Sequence, residues 1–209
     1  MKRFVISLLL LGSVMCVNAQ KIEELFAKMP DVMIAQLEEA WRKDLVDLYK
    51  SGKNATLENT MQGRSTLLKL TDDYLLLQST ERSTVELKLL PLVNNTYIIC
   101  LIETVYAPVA DSRVSFYSTE WQALNVDGIF TPVEENWFLK NADRLSLEFL
   151  DATSNVDIYL VKYSLSEESV ILTAEYMTPQ VLDEESRGKI VPLLKSGSKI
   201  YEWKSGRFE

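Results

Sequence analysis

The sequence predicts an α+β fold: one antiparallel sheet, or two similar ones, with N-terminal helices and one C-terminal helix packed on it. Three observations lead there. Runs of alternating apolar and polar residues recur, separated by short polar turns, as in antiparallel hairpins. One run, Tyr97 to Tyr106, is apolar on both faces, with Ile99 and Leu101 on one side and Ile98, Cys100 and Ile102 on the other, so layers must cover both sides of it. Stripes at helical spacing stand near the two ends of the chain.

In chain order, Lys2 and Arg3 precede the apolar run Phe4 to Val14, and Val17-Asn18-Ala19 supplies small residues before Gln20. That pattern is a secretory signal peptide over residues 1–19, too short in its apolar part to span a bilayer. The remaining 20–209 are expected to form a single α+β unit, either undivided or with sub-halves 20–124 and 137–209 joined by the 125–136 connection. Ile22, Leu25 and Phe26 predict a first helix ending at Pro30. A second is expected from an Asp31 N-cap to Gly52, with Ile34, Leu37, Trp41, Leu45 and Leu48 on one face and Glu38, Glu39, Arg42, Lys43, Asp44 and Asp47 in water.

Ser65 to Ser79 reads as a hairpin turning at Thr71-Asp72-Asp73, with Leu68 and Leu70 opposite Tyr74 and Leu76. In Ser83 to Pro91, Val85, Leu87 and Leu89 alternate with Glu86 and Lys88, which predicts a strand with one wet face. Asn125 to Asn136, with Asp127-Gly128 and Pro132, predicts a loop. Leu145 to Leu150, Val156 to Leu165 and Val170 to Met177 are expected to form a meander. A helix is expected from Thr178-Pro179 through Val181 and Leu182 toward Ile190, and a last strand over Lys199 to Phe208.

The chain carries 22 basic and 30 acidic residues. Without Lys2 and Arg3 the balance is 20 against 30, a net charge of −10, which speaks against a nucleic-acid partner. No transmembrane segment is expected after the signal. Histidine is absent, which removes Ser-His-Asp and Cys-His nucleophile systems and histidine-bearing zinc sites. Beyond Cys16 in the signal, Cys100 is the single thiol and reads as a core residue. No glycine-rich phosphate loop is present, and no cofactor or metal is expected. Ser186-Arg187-Gly188-Lys189 and Lys195-Ser196-Gly197 mimic elements of penicillin-recognising enzymes, but they are too close together, and the tripeptide recurs at Lys50-Ser51-Gly52 and Lys204-Ser205-Gly206 as a turn preference.

Met29-Pro30-Asp31, Arg42-Lys43-Asp44-Leu45-Val46-Asp47-Leu48-Tyr49, Leu70-Thr71-Asp72-Asp73-Tyr74-Leu75, Leu87-Lys88-Leu89-Leu90-Pro91-Leu92, Phe116-Tyr117-Ser118 and the Trp203 to Phe208 ending, in that order, resemble a family of exported Bacteroidales proteins of unknown function, domain of unknown function 3256. The resemblance covers nearly all of the chain after the signal. It implies a periplasmic, surface or secreted location and carries over no catalytic residue.

Candidate binding residues are aromatics on strands and near turns: Tyr117, Trp121 and Trp137 first, with Tyr159, Tyr163 and Tyr176. Their competing role is core packing. The connection from Ser118 to Trp137 is where exposed ones are sought. Acidic candidates for glycan hydrolysis are Asp72 with Asp73, and Glu148, Asp157 and Glu175. The reading that follows is a non-catalytic binding module of the envelope with an envelope protein or glycan as partner. The alternatives are a carboxylate-dependent glycan hydrolase or a structural accessory subunit.

Overall fold

The computed structural model describes residues 21–140, 144–154 and 156–209; the signal-peptide reading and Cys16 lie outside them. The architecture is α+β, with a helical layer, a six-stranded sheet and a four-stranded sheet, both sheets antiparallel throughout. Helices α1 (Ile22–Ala27) and α2 (Glu39–Lys50) precede a meander of β1 (Thr56–Glu58), β2 (Arg64–Leu70), β3 (Tyr74–Thr80), β4 (Ser83–Pro91), β5 (Tyr97–Tyr106) and β6 (Ala110–Ser118). After the connection come α3 (Glu135–Phe138), α4 (Leu147–Thr153), β7 (Val161–Leu165), β8 (Ile171–Tyr176), α5 (Glu184–Ile190), β9 (Lys199–Lys204) and β10 (Arg207–Phe208). The second sheet runs β10-β9-β8-β7.

The apolar pattern of β5 explains the layering. Ile99 and Leu101 join Leu75, Leu77, Leu87 and the helix residues Ile22, Phe26 and Leu45 in one core. Ile98, Cys100 and Ile102 join Phe116, Tyr163, Leu172 and Tyr201 in the other. Each fully buried Leu or Ile stabilises the fold by about 1.5–3 kcal/mol relative to exposure. The helical layer is tied down at the hairpin tip, where the Ile22 amide donates to the Asp72 carbonyl at 3.0 Å and Lys21 pairs with Asp72 at 3.3 Å.

Several expectations are corrected. The face of β4 carrying Glu86 and Lys88 is dry, with the residues 7% and 1% exposed, because the second sheet lies over it. The Glu86 carboxylate accepts from the Leu165 amide at 2.9 Å and the Tyr74 hydroxyl at 3.2 Å. The Lys88 ammonium pairs with Asp73 at 3.0 Å and donates to the Glu167 carbonyl at 3.0 Å. The Lys88 charge persists because Asp73 pairs it, whereas the Glu86 carboxyl is satisfied by neutral donors. Arg42 is likewise 1% exposed. Its guanidinium donates to the carbonyls of Ala27 (3.1 Å), Met29 (2.5 Å) and Leu37, and pairs with Asp31 at 2.8 Å.

Asp31 therefore serves Arg42 rather than capping a helix. A short 3-10 turn, Asp31–Met33, stands there, and α2 starts only at Glu39. Leu68 sits in a β-bulge, so Lys69 faces Leu76 and Leu70 faces Leu75. Residues 147–153 are helical, started by the Ser146 hydroxyl accepting from the Phe149 amide at 3.2 Å, and the strand after them is confined to Val161–Leu165.

Thr178 and Pro179 begin a 3-10 turn, while Asp183 caps α5. Lys199 to Phe208 is a hairpin, not one strand, because Ser205 (φ 50°) and Gly206 (φ 86°) reverse the chain. Gly52 (φ 68°) and Gly197 (φ 92°) complete the set: all three Lys-Ser-Gly tripeptides mark left-handed turn positions.

Candidate binding site

The chain between the two sheets, residues 125–136, is packed rather than slack. Asn125 starts it with a side-chain turn, its Oδ1 accepting from the Asp127 amide at 3.1 Å, and Gly128 (φ 82°) turns it inward. Phe130, 5% exposed, then enters an aromatic cluster with ring centroids 5.2 Å from Tyr201, 5.5 Å from Tyr163, 6.2 Å from Phe116 and 6.2 Å from Phe208. The Ile129 carbonyl accepts from the Phe208 amide at 2.8 Å, so the connection extends the pairing beyond β10.

Four tyrosines fix the rest. Tyr201 donates to the Thr131 carbonyl at 3.1 Å, Tyr159 to the Val133 carbonyl at 2.5 Å and Tyr176 to the Glu135 carboxylate, and the Val133 amide donates to the Tyr163 hydroxyl at 3.2 Å. Burial pushes all four phenols above the ordinary tyrosine range, so they remain protonated and the anchors persist at any physiological pH.

Two clefts flank this ridge, and both include Pro132 and Val133. The first, about 320 Å³, opens between β6 and β7, the facing edges of the two sheets; Val114, Val126, Phe130, Tyr159 and Val161 give it a mostly apolar lining, to which the exposed Asp111 and Arg113 also contribute. Edge strands normally present unpaired backbone groups. Here the outward amides of β7 are taken up by side chains of the larger sheet: Val161 by Asp111 at 3.2 Å, Tyr163 by the Ser112 hydroxyl at 3.0 Å and Leu165 by Glu86. The two edges are held together by side chains, and the cleft is the space those bridges leave. Arg113 is engaged by Glu103, with its Nε 3.1 Å from the carboxylate.

The second cleft, about 370 Å³, lies on the other side of the ridge between Trp137, Lys199 and Tyr201, with Glu134 and Glu209 among its lining residues. Trp137, half-buried on α3, packs edge-on against Phe138 at 5.2 Å.

Of the three leading candidates, the structure brings Tyr117 and Trp121 together at 5.7 Å and places Trp137 apart from them. Tyr117 and Trp121 pack against the helix-side core, and the Trp121 indole N–H donates to the Leu25 carbonyl at 3.0 Å. Trp137 lines a cleft, as does Tyr159. Phe130, Arg113 and Lys199 are not among the candidates that the sequence marks. For Lys199 a signal exists: in a strand it shares a face with Tyr201 and Trp203.

The acidic candidates are dispersed. Asp72 and Asp73 are engaged by Lys21 and Lys88, and Glu148 lies on α4 whereas Glu175 lies on β8. Burial pushes the Cys100 thiol well above its ordinary range, so it stays protonated. Among the described residues no group of three or more Cys, Asp or Glu side chains is placed to hold a metal ion, and no helix is long and apolar enough to cross a membrane.

A family model described as "Protein of unknown function (DUF3256)" matches residues 14–208. The chain belongs to this family. A solved structure described as "Structure of a domain of an uncharacterized protein from Porphyromonas gingivalis W83" is similar to this DUF3256 chain. The identity is 30% and the TM-score 0.80, over 90% of this chain and 97% of that one. No curated protein matches the chain.

Proposed function

We propose that this DUF3256 protein is an exported, non-catalytic binding module of the bacterial envelope, and that it receives an apolar group of its partner in the cleft between β6 and β7. The observation that carries the reading is the construction of that cleft. Its walls are strand edges cross-braced by Asp111, Ser112 and Glu86, its roof is a loop pinned by tyrosine hydroxyls, and its lining is mostly apolar, with Asp111 and Arg113 as its charged members. A preformed concave surface of this kind binds with little ordering cost. The basic residues and apolar run at the N-terminus support export. A hydrolase would need two carboxylates facing each other across a cleft. Here Asp111 is the single acidic lining residue, and its Oδ1 is occupied by the Val161 amide.

The test compares the protein with a Val114→Phe variant, which fills the cleft from β6. Both are immobilised and exposed to envelope extract of the host. A species retained by the wild type and lost from the variant is the expected result. Equal capture by both, or none by either, contradicts the cleft as the binding site.

A further inference from the structure

The described residues form two sheets, and three of the four sheet edges are short or closed. Strand β1 has three residues, the Phe208 amide of β10 is taken by the Ile129 carbonyl, and the outward amides of β7 are met by Asp111, Ser112 and Glu86. The fourth edge is β6, nine residues long and covered over only part of its length. After Ser118 the chain reverses at Trp121 (φ 61°), and the Ser118 amide donates to the Gln122 carbonyl while the Leu124 amide donates to the Phe116 carbonyl, both at 2.9 Å. Residues 122–124 thus run antiparallel along β6 until the Asn125 side-chain turn leads the chain away. Main-chain groups alternate in direction along a strand, so those of Ser112 and Val114 point outward as those of Phe116 do. Among the described residues these outward N–H and C=O groups form no hydrogen bond. An open stretch of edge is a template for another strand.

The side chains around the opening indicate what that strand carries. Val114, Val126, Phe130 and Val161 line the cleft beside the edge. Arg113 is matched by Glu103, whereas Asp111 is exposed and among the described residues forms no ion pair, its Oδ1 accepting only from the Val161 amide. In a chain with 30 acidic and 22 basic residues, this leaves a carboxylate at the end of the edge for a cation.

We infer that β6 receives an extended polypeptide segment of the partner as an added strand at Ser112–Val114, in line with residues 122–124. An apolar side chain opposite Val114 is seated in the β6–β7 cleft, and a basic one three positions away lies opposite Asp111. This rests on the proposed use of that cleft and adds the class of partner. A strand-forming peptide supplies alternating main-chain donors and acceptors to the edge, and a glycan does not.

The experiment is an amide-resolved NMR titration of the protein with the peptide acetyl-Lys-Thr-Thr-Ile-Thr-Thr-Lys-amide, which carries lysine three positions from isoleucine on either side. Shifts are expected in the Ser112 and Val114 amides. N-methylation of the isoleucine, whose N–H faces β6, is expected to weaken binding roughly tenfold. N-methylation of the following threonine, whose N–H faces away, is expected to leave the affinity unchanged. Asp111→Asn keeps an acceptor for the Val161 amide and loses the charge; with an unchanged urea midpoint it is expected to bind this peptide roughly threefold more weakly, and a peptide with glutamine for both lysines as the wild type does. Equal losses from the two N-methylations, shifts confined to other surfaces, or no binding overturns the inference. If envelope extract yields a glycan that Val114→Phe no longer captures, the inference fails while the proposed function stands. Peptide binding at the edge with equal envelope capture by wild type and Val114→Phe contradicts the proposed function and leaves the edge as the strand site.

Discussion

The two faces of the six-stranded sheet are built differently. The helix side is filled by aliphatic side chains such as Leu75, Leu77, Leu87 and Leu101, and its buried charge, Arg42, binds backbone carbonyls within its own layer. The face toward the second sheet is filled by Phe116, Phe130, Tyr163 and Tyr201 and carries Glu86 and Lys88. Their partners Leu165 and Glu167 lie 79 positions further along the chain. An aliphatic core fills space and offers no polar handles. Rings with hydroxyls can pack and still hold a loop at a defined height, which leaves clefts beside it. The helix side is thus built for stability, and the groups that recognition would use lie on the seam between the sheets.

The largest expected effect is on the helix side. Arg42→Met leaves the carbonyls of Ala27, Met29 and Leu37 without their donor and is expected to cost about 3–5 kcal/mol in urea unfolding. Phe130→Ala on the seam is expected to cost about 3 kcal/mol, at the low end for a core phenylalanine because the clefts beside it give room to relax. Limited proteolysis of that variant should cut within 125–136, whereas the wild type resists there. Tyr201→Phe removes one hydroxyl anchor while keeping the ring, and about 1 kcal/mol is expected from the shift of the urea midpoint.

Glu86 sets the two faces apart through pH. Burial raises its carboxyl above the ordinary range, against the lowering effects of the Leu165 amide, the Tyr74 hydroxyl and the nearby Lys162. The folded protein therefore holds this proton at pH values where the unfolded chain has released it. Its stabilising contribution is full below the unfolded carboxylate range and is lost as pH rises through the folded value. Urea midpoints of wild type and Glu86→Gln, measured across the acid range to neutrality, should show the variant without this decline. Parallel curves would contradict it.

Much of the fold can be read in the chain. Apolar residues on both faces of β5 require covering layers on both sides, and Thr71-Asp72-Asp73 marks a turn by its side-chain chemistry. The burial of Glu86, Lys88 and Arg42 could not be read, because local alternation assigns charges to water unless a distant element covers them. Helix α4 eluded the pattern for a related reason: a short run such as Leu147 to Thr153 carries too few turns to distinguish helical from strand spacing. Trp137 and Tyr159 are visible as aromatics beside turns. The clefts they line arise only when the connection folds back between the sheets.

The most direct test of the seam as the recognition surface is hydrogen–deuterium exchange of the protein, alone and loaded with the species it captures from envelope extract. Added protection is expected in residues 111–114, 126–134 and 158–163 alone, with α1 and α2 unchanged. Protection centred on the helical layer, with the seam unaltered, would contradict recognition at the seam.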